Sequence, residues 1–176
     1  MRFGTNAFSV PSVSRWIILS LALILTSCGF KLRGAQQLPF ETIYLGFGAN
    51  SPLGAELARN IRAATNTRIV PDPAQAQAVL DVLGESRERD VLSVNAQGRA
   101  REFQLRLRLQ FRLHDGKGRE FIAPTQIAVQ RDIAFNEAQV LAKESEEALL
   151  YRDMQTDVVQ QLLRRLTALK VDAVKG

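Results

Sequence analysis

Residues 103–113 read Phe-Gln-Leu-Arg-Leu-Arg-Leu-Gln-Phe-Arg-Leu, an alternation with no fault in it. Phe103, Leu105, Leu107, Leu109, Phe111 and Leu113 are large and apolar. Gln104, Arg106, Arg108, Gln110 and Arg112 lie between them, and all are polar. A period of two is the signature of a strand with two unlike faces. One face requires a core. The other carries arginines, and their partner is the question on which the function turns.

The flanking sequence builds a sheet around this strand. Asn95-Ala96-Gln97-Gly98 and Asp115-Gly116-Lys117-Gly118 are turn-forming clusters on either side of it. Strands are expected at 78–89 before the first turn and at 119–131 after the second, with Pro124 marking an edge position or a bulge. Upstream, Ile43, Leu45 and Phe47 alternate in a strand over 41–47, and Arg68-Ile69-Val70 is a short strand stopped by Pro71 and Pro73. Between these two, Ser51 fits an N-cap and Pro52 the first helical position, followed by a stripe of Leu53, Leu57, Ile61 and Ala64. From 139 to 170 a long helix is expected. Its apolar stripe is Leu141, Leu149, Leu150, Met154, Val158, Leu162, Leu166 and Leu169; its far face holds Glu144, Glu147, Arg152, Asp157 and Arg164. The fold class is α+β: two helices on one face of a roughly four-stranded mixed or antiparallel sheet.

The N-terminus points to an exported, lipid-anchored protein. Arg2 and Arg15 are the only charges before Cys28, and Trp16–Leu25 is an apolar run too short to span a bilayer. It ends in Leu25-Thr26-Ser27-Cys28, which resembles a bacterial lipobox. Residues 1–27 are then a cleaved signal peptide, and Cys28 carries covalent lipid. Residues 28–40 form a tether, 41–170 the folded domain and 171–176 a tail. By resemblance to other bacterial lipoproteins, Gly29 rather than Asp after the cysteine favours the outer membrane as destination.

Enzyme chemistry finds little support. With one Cys and one His in the chain, neither a disulfide nor a Cys/His zinc site can be built. His114 reads as a solvated turn residue beside Asp115. Asp81/Glu85 and Glu144/Glu146/Glu147 read as solvated charges. Gly46-Phe47-Gly48 lacks the later glycine and the lysine of a phosphate loop. No metal or other cofactor is expected beyond the lipid on Cys28.

The positive charge is local. Segment 87–119 contains nine basic and four acidic residues, whereas the rest of the chain after Cys28 is net acidic. The arginine row therefore admits a solvated face whose cross-strand acids pair with it. It also admits a nucleic-acid surface, which the lipobox argues against, or a site for an anionic envelope ligand. Lipopolysaccharide suits the last, since phosphates match guanidinium geometry.

Three stretches resemble the LPS-assembly lipoprotein family: "CGFKLRG" at 28–34, "SVNAQGRAREFQLRL" at 93–107 and "NEAQVLAKESEEALLYRDMQTDVVQQLLRRL" at 136–166. The resemblance implies a non-enzymatic plug, held by lipid on the periplasmic side of the outer membrane. The plug would sit inside the LptD β-barrel and bind lipopolysaccharide during its delivery to the outer leaflet. It further implies a glycolipid-binding lysine at the start of the last helix, matched by Lys143. A basic residue that the family has in the turn before the alternating strand falls at Ala96, where the match fails; Arg99 and Arg101 are the nearest substitutes. Within a polar barrel lumen, Arg106, Arg108 and Arg112 could equally face the barrel wall. The rival reading is a generic envelope lipoprotein that binds an anionic ligand, or scaffolds another complex, without any barrel.

Overall fold

A computed structural model describes residues 37–136 and 140–169. The chain runs β1 (Thr42–Gly46), α1 (Pro52–Ala64), β2 (Arg68–Ile69), a 3-10 turn (Pro73–Gln75), β3 (Ala78–Val94), β4 (Ala100–His114), β5 (Glu120–Ala134) and α2 (Val140–Thr167). The strands form one sheet in the order β2-β1-β3-β4-β5. β1 is parallel to both of its neighbours, and β3, β4 and β5 form an antiparallel meander. The architecture is α+β with two helices, as the alternation and the two stripes imply. The sheet has five strands rather than four because the two residues of β2 pair with Thr42 and Ile43. The expected signal peptide, Cys28, most of the expected tether and the expected tail lie outside the described residues.

Local chemistry sets the boundaries. Ser51 caps α1: its Oγ accepts from the Gly54 N–H at 3.1 Å and donates to Glu85 Oε2 at 2.7 Å. The two hairpin turns share one design. Asn95 Oδ1 accepts from the N–H groups of Gln97 and Arg99, and Asp115 Oδ1 accepts from those of Lys117 and Arg119. Gly98 and Gly118 take positive φ, 77° and 110°, which a side chain would strain. β3 extends to Val94, beyond the expected end at Arg89, because Val91, Ser93 and Val94 pair with Phe103, Glu102 and Ala100. Pro124 lies on the edge strand β5, within the irregularity that separates the partners of Phe111 and Leu113. Both expectations for that proline hold.

The two ends of the meander are distinct. At the foot, β1 and β3 begin, β4 ends, and the chain enters through buried Leu38 and Phe40. The tip is the β3–β4 turn. At about 3.3 Å per residue, the 15 residues of β4 reach roughly 50 Å.

The alternation of β4 becomes the core. Leu105, Leu107, Leu109, Phe111 and Leu113 are fully buried, and Phe103 at the tip is partly so. They join Leu53, Leu57 and Ile61 of α1 and Met154, Val158, Leu162 and Leu166 of α2 in one cluster. The N-terminal part of α2 departs from the expected stripe: Leu141 is 81% exposed and Leu149 58%. Helix geometry explains this. At 100° per residue both leucines fall about 140° away from Met154, whereas Lys143 and Glu147 fall within about 20° of it. Glu147, expected on the far face, therefore turns toward the sheet. The inward stripe of α2 is apolar at the foot and charged at the tip.

Candidate functional site

The sheet face opposite the helices carries the arginine row, and each arginine meets an acid of β3. Register makes this so: Arg112 stands opposite Asp81, Arg108 opposite Ser86 and Arg106 opposite Glu88. Arg106 Nη1 lies 3.5 Å from Glu88 and 3.6 Å from Asp90, and its Nη2 donates to Gln104 Oε1 at 2.7 Å. Arg108 pairs with Glu88 at 3.0 Å. Glutamines continue the ladder toward β5, with Gln110 donating to Gln126 and Gln104 to Asp132. The face is half-buried, polar and internally bonded. These cross-strand pairs are what the solvated-face reading of the row requires.

His114 departs from expectation. It is the last residue of β4, and its side chain is only 19% exposed. Its Nδ1 accepts from the Gly116 N–H at 2.9 Å, which leaves the proton on Nε2, 3.0 Å from Asp81 Oδ2. The same carboxylate oxygen accepts from Arg112 Nε at 2.9 Å and Nη2 at 2.8 Å. Partial burial by itself would raise the Asp81 pKa. The hydrogen bonds from Arg112 and His114, with the charge of the Arg112 guanidinium, outweigh it and hold the carboxyl below its ordinary value. Asp81, expected to be a solvated carboxylate, is the hub of this cluster.

A second site lies toward the tip, on the helix side. A cavity of about 150 Å³ is lined by Phe103, Ile133, Phe135 and Val140, with Arg89, Lys143, Glu144 and Glu147 around it. Phe103 and Phe135 meet edge to face, with centroids 5.2 Å apart. The Arg89 guanidinium stacks 3.8 Å from the Phe103 centroid and pairs with Glu147 at 3.3 Å. Lys143 Nζ reaches Glu146 at 2.7 Å. Arg101 belongs to the same end, because its carbonyl accepts from the N–H of Phe135. Arg99 sits just above, where the turn closes. The arrangement sets two cations, each paired with a glutamate, beside an aromatic-lined hollow, with the basic Arg99 and Arg101 at the same end.

Lys143 and Arg101 are thus brought to one end of the molecule, while Arg106, Arg108 and Arg112 occupy the opposite face of the sheet. Arg89 was missed from the sequence. Its signal is the register: Arg89 pairs with Leu105, so it shares the helix-side face. Cys28 lies outside the described residues.

Comparison with known proteins places this fold. Residues 40–166 match the family model LptE, described as lipopolysaccharide-assembly. The LPS-assembly lipoprotein LptE of Yersinia enterocolitica is 33% identical over 91% of this chain and 78% of its own length. That of Yersinia pestis is 34% identical over the same shares. Among solved structures, lipoprotein B from Nitrosomonas europaea superposes with a TM-score of 0.69 and 39% identity, covering 80% of this chain and 91% of that one. Rare lipoprotein B from Shewanella oneidensis, at 23% identity over 70% of this chain and 91% of its own, shares the fold with a TM-score of 0.60. With a match running from the buried Phe40 to the last core leucine of α2, the chain belongs to the LptE lipopolysaccharide-assembly family.

Proposed function

We propose that this protein plugs and helps to assemble the LptD β-barrel of the outer membrane, and binds lipopolysaccharide during its delivery to the outer leaflet. Its periplasm-facing lipid anchor is Cys28. It performs no catalysis. Family membership supports the role in lipopolysaccharide assembly. The observation that carries the plug reading is the open sheet face, whose arginines, acids and glutamines are bonded to one another along strands of about 50 Å. A plug must present a polar surface to a polar lumen. It must also be long enough to follow a hydrocarbon core of about 30 Å. The ladder on β3, β4 and β5 meets both needs without a buried, unpartnered polar side chain among the described residues.

Lipopolysaccharide binding is assigned to the tip. Lys143, Arg99 and Arg101 would meet phosphates, and the hollow lined by Phe103, Ile133, Phe135 and Val140 would meet an acyl chain.

Photo-reactive residues at positions 106, 108 and 112, activated in living cells, test the plug. The expected product is a cross-link to the barrel. Cross-links to neither barrel nor glycolipid at all three positions would return the face to plain solvent exposure and remove the proposal's main support.

A further inference from the structure

Arg89 joins two hollows. With Glu144 and Glu147 it lines both the tip cavity of about 150 Å³ and a larger groove of about 960 Å³ between β3, α1 and α2. The cavity alone is smaller than a ligand pocket, about 300–1,000 Å³, and the groove falls within that range. The ion pair between Arg89 and Glu147 stands where the two hollows meet.

The two partners are held unequally. Arg89 stands opposite Leu105, so strand register aims it at the helix side. Its guanidinium lies 3.8 Å from the Phe103 centroid and 5.7 Å from that of Phe135. This aromatic seat holds the cation whether or not Glu147 is present. The ion pair itself is loose. Arg89 Nη1 is 3.3 Å from Glu147 Oε2, against about 2.8 Å for a well-made charge-assisted hydrogen bond. Both side chains are reachable from solvent, Arg89 at 38% and Glu147 at 22% exposure. A seated cation with a loosely held acid is an anion site whose place is kept by a carboxylate. A phosphate takes the guanidinium fork with two parallel hydrogen bonds and brings more charge than a carboxylate does.

The two hollows differ in chemistry. Phe103, Ile133, Phe135 and Val140 make the tip cavity apolar. The groove has three glutamates against four arginines and is close to neutral, so it does not suit further phosphates. Asn60, Arg87, Tyr151 and Gln155 give it a hydrogen-bonding lining instead, which suits sugar hydroxyls. Arg87 already meets neutral partners there: it donates to Gln155 Oε1 at 2.8 Å and lies 5.4 Å from the Tyr151 centroid.

We infer that Arg89 binds a phosphate of a glycolipid at the junction of the two hollows, displacing Glu147, with the sugar head group in the groove and an acyl chain in the tip cavity. This rests on the assignment of lipopolysaccharide to the tip and extends it. Glu147 is then a competitor of the ligand, so its removal strengthens binding.

The test is a titration of purified lipopolysaccharide in detergent, and of the same lipid stripped of its phosphates. Each is added to full-length lipidated wild type, Arg89→Gln, Glu147→Gln and the double variant. With the phosphorylated lipid, Arg89→Gln should bind about tenfold more weakly, the loss of a charge-assisted contact. Glu147→Gln should bind about two- to fivefold more tightly, the size of a partly exposed ion pair. The double variant should show no gain over Arg89→Gln, and the stripped lipid should register neither change. A strap that only holds α2 to the sheet predicts a loss, or no change, from both single variants. Unchanged or weaker binding by Glu147→Gln therefore overturns the inference and leaves the tip assignment intact. So does an equal gain from Glu147→Gln in the Arg89→Gln background, which would be a general effect of charge. If Arg89→Gln does not fold, Glu147→Gln decides: a gain confined to the phosphorylated lipid supports the inference, and any other result overturns it. Wild type that does not bind the phosphorylated lipid overturns the tip assignment, and this inference with it.

Discussion

Asp81 shows how much one carboxylate can organise. It binds Arg112 and His114 with a single oxygen where β3 and β4 meet near the foot. Its depressed pKa fixes the sign of the pH dependence. A group titrating lower when folded adds stability above its unfolded pKa of about 3.9, and that stability is lost as pH falls through the folded value. Asp81→Asn should thus lower stability by about 0.5–1 kcal/mol at pH 7, the range of a partly exposed ion pair. The difference from wild type should be smaller at pH 3 than at pH 7, and go on shrinking as pH falls through the lowered folded value. Urea midpoints at the two pH values check it, and an equal gap at both would show that the charge is not responsible. At this scale the sequence was only partly legible. Ser51, Gly98 and Pro124 announce their roles because each acts through its own backbone. His114 does not, because its partner lies 33 residues away and is chosen by strand register.

Among the elements, β4 was the most legible and α2 the least. A perfect alternation leaves one way to bury six apolar residues, and the sheet follows from it. Leu107→Ala should cost about 2–5 kcal/mol, since the side chain is fully buried between sheet and helices. Thermal unfolding gives the value, and a cost well under 1 kcal/mol would mean that β4 is not the core strand. In α2 the apolar residues are too numerous for one stripe, and only the phase of the buried foot-end half decides which face inward. That phase puts Lys143 and Glu147 against the sheet and Leu141 and Leu149 outside. The charged inward stretch is the basis of the proposed glycolipid site. Replacing Lys143, Arg99 and Arg101 together by alanine should weaken lipopolysaccharide binding by about tenfold or more, the loss of charge-assisted contacts, while the far-UV spectrum and melting temperature hold. Unchanged affinity in a binding titration would move the site elsewhere.

At the scale of the whole molecule, the parts divide the labour. Apolar residues of β4, α1 and α2 make the core. The opposite sheet face, bonded to itself, is suited to a polar enclosure, and the tip sets ion-paired Arg89 and Lys143 beside an aromatic hollow. That β3 runs on to Val94 beyond the reach of β1, which pairs only with Ala78–Asp81, was invisible in the sequence, since it depends on β1 being short where β3 is long. The family, by contrast, was legible from three stretches. The central claim is that this chain works as the lipid-anchored plug of a barrel. Its most direct test is the composition and mass of the complex that an affinity-tagged full-length protein brings out of detergent-solubilised outer membranes. The account predicts a stable assembly of one plug with one large β-barrel protein. A lone chain, free of any barrel partner, would contradict it.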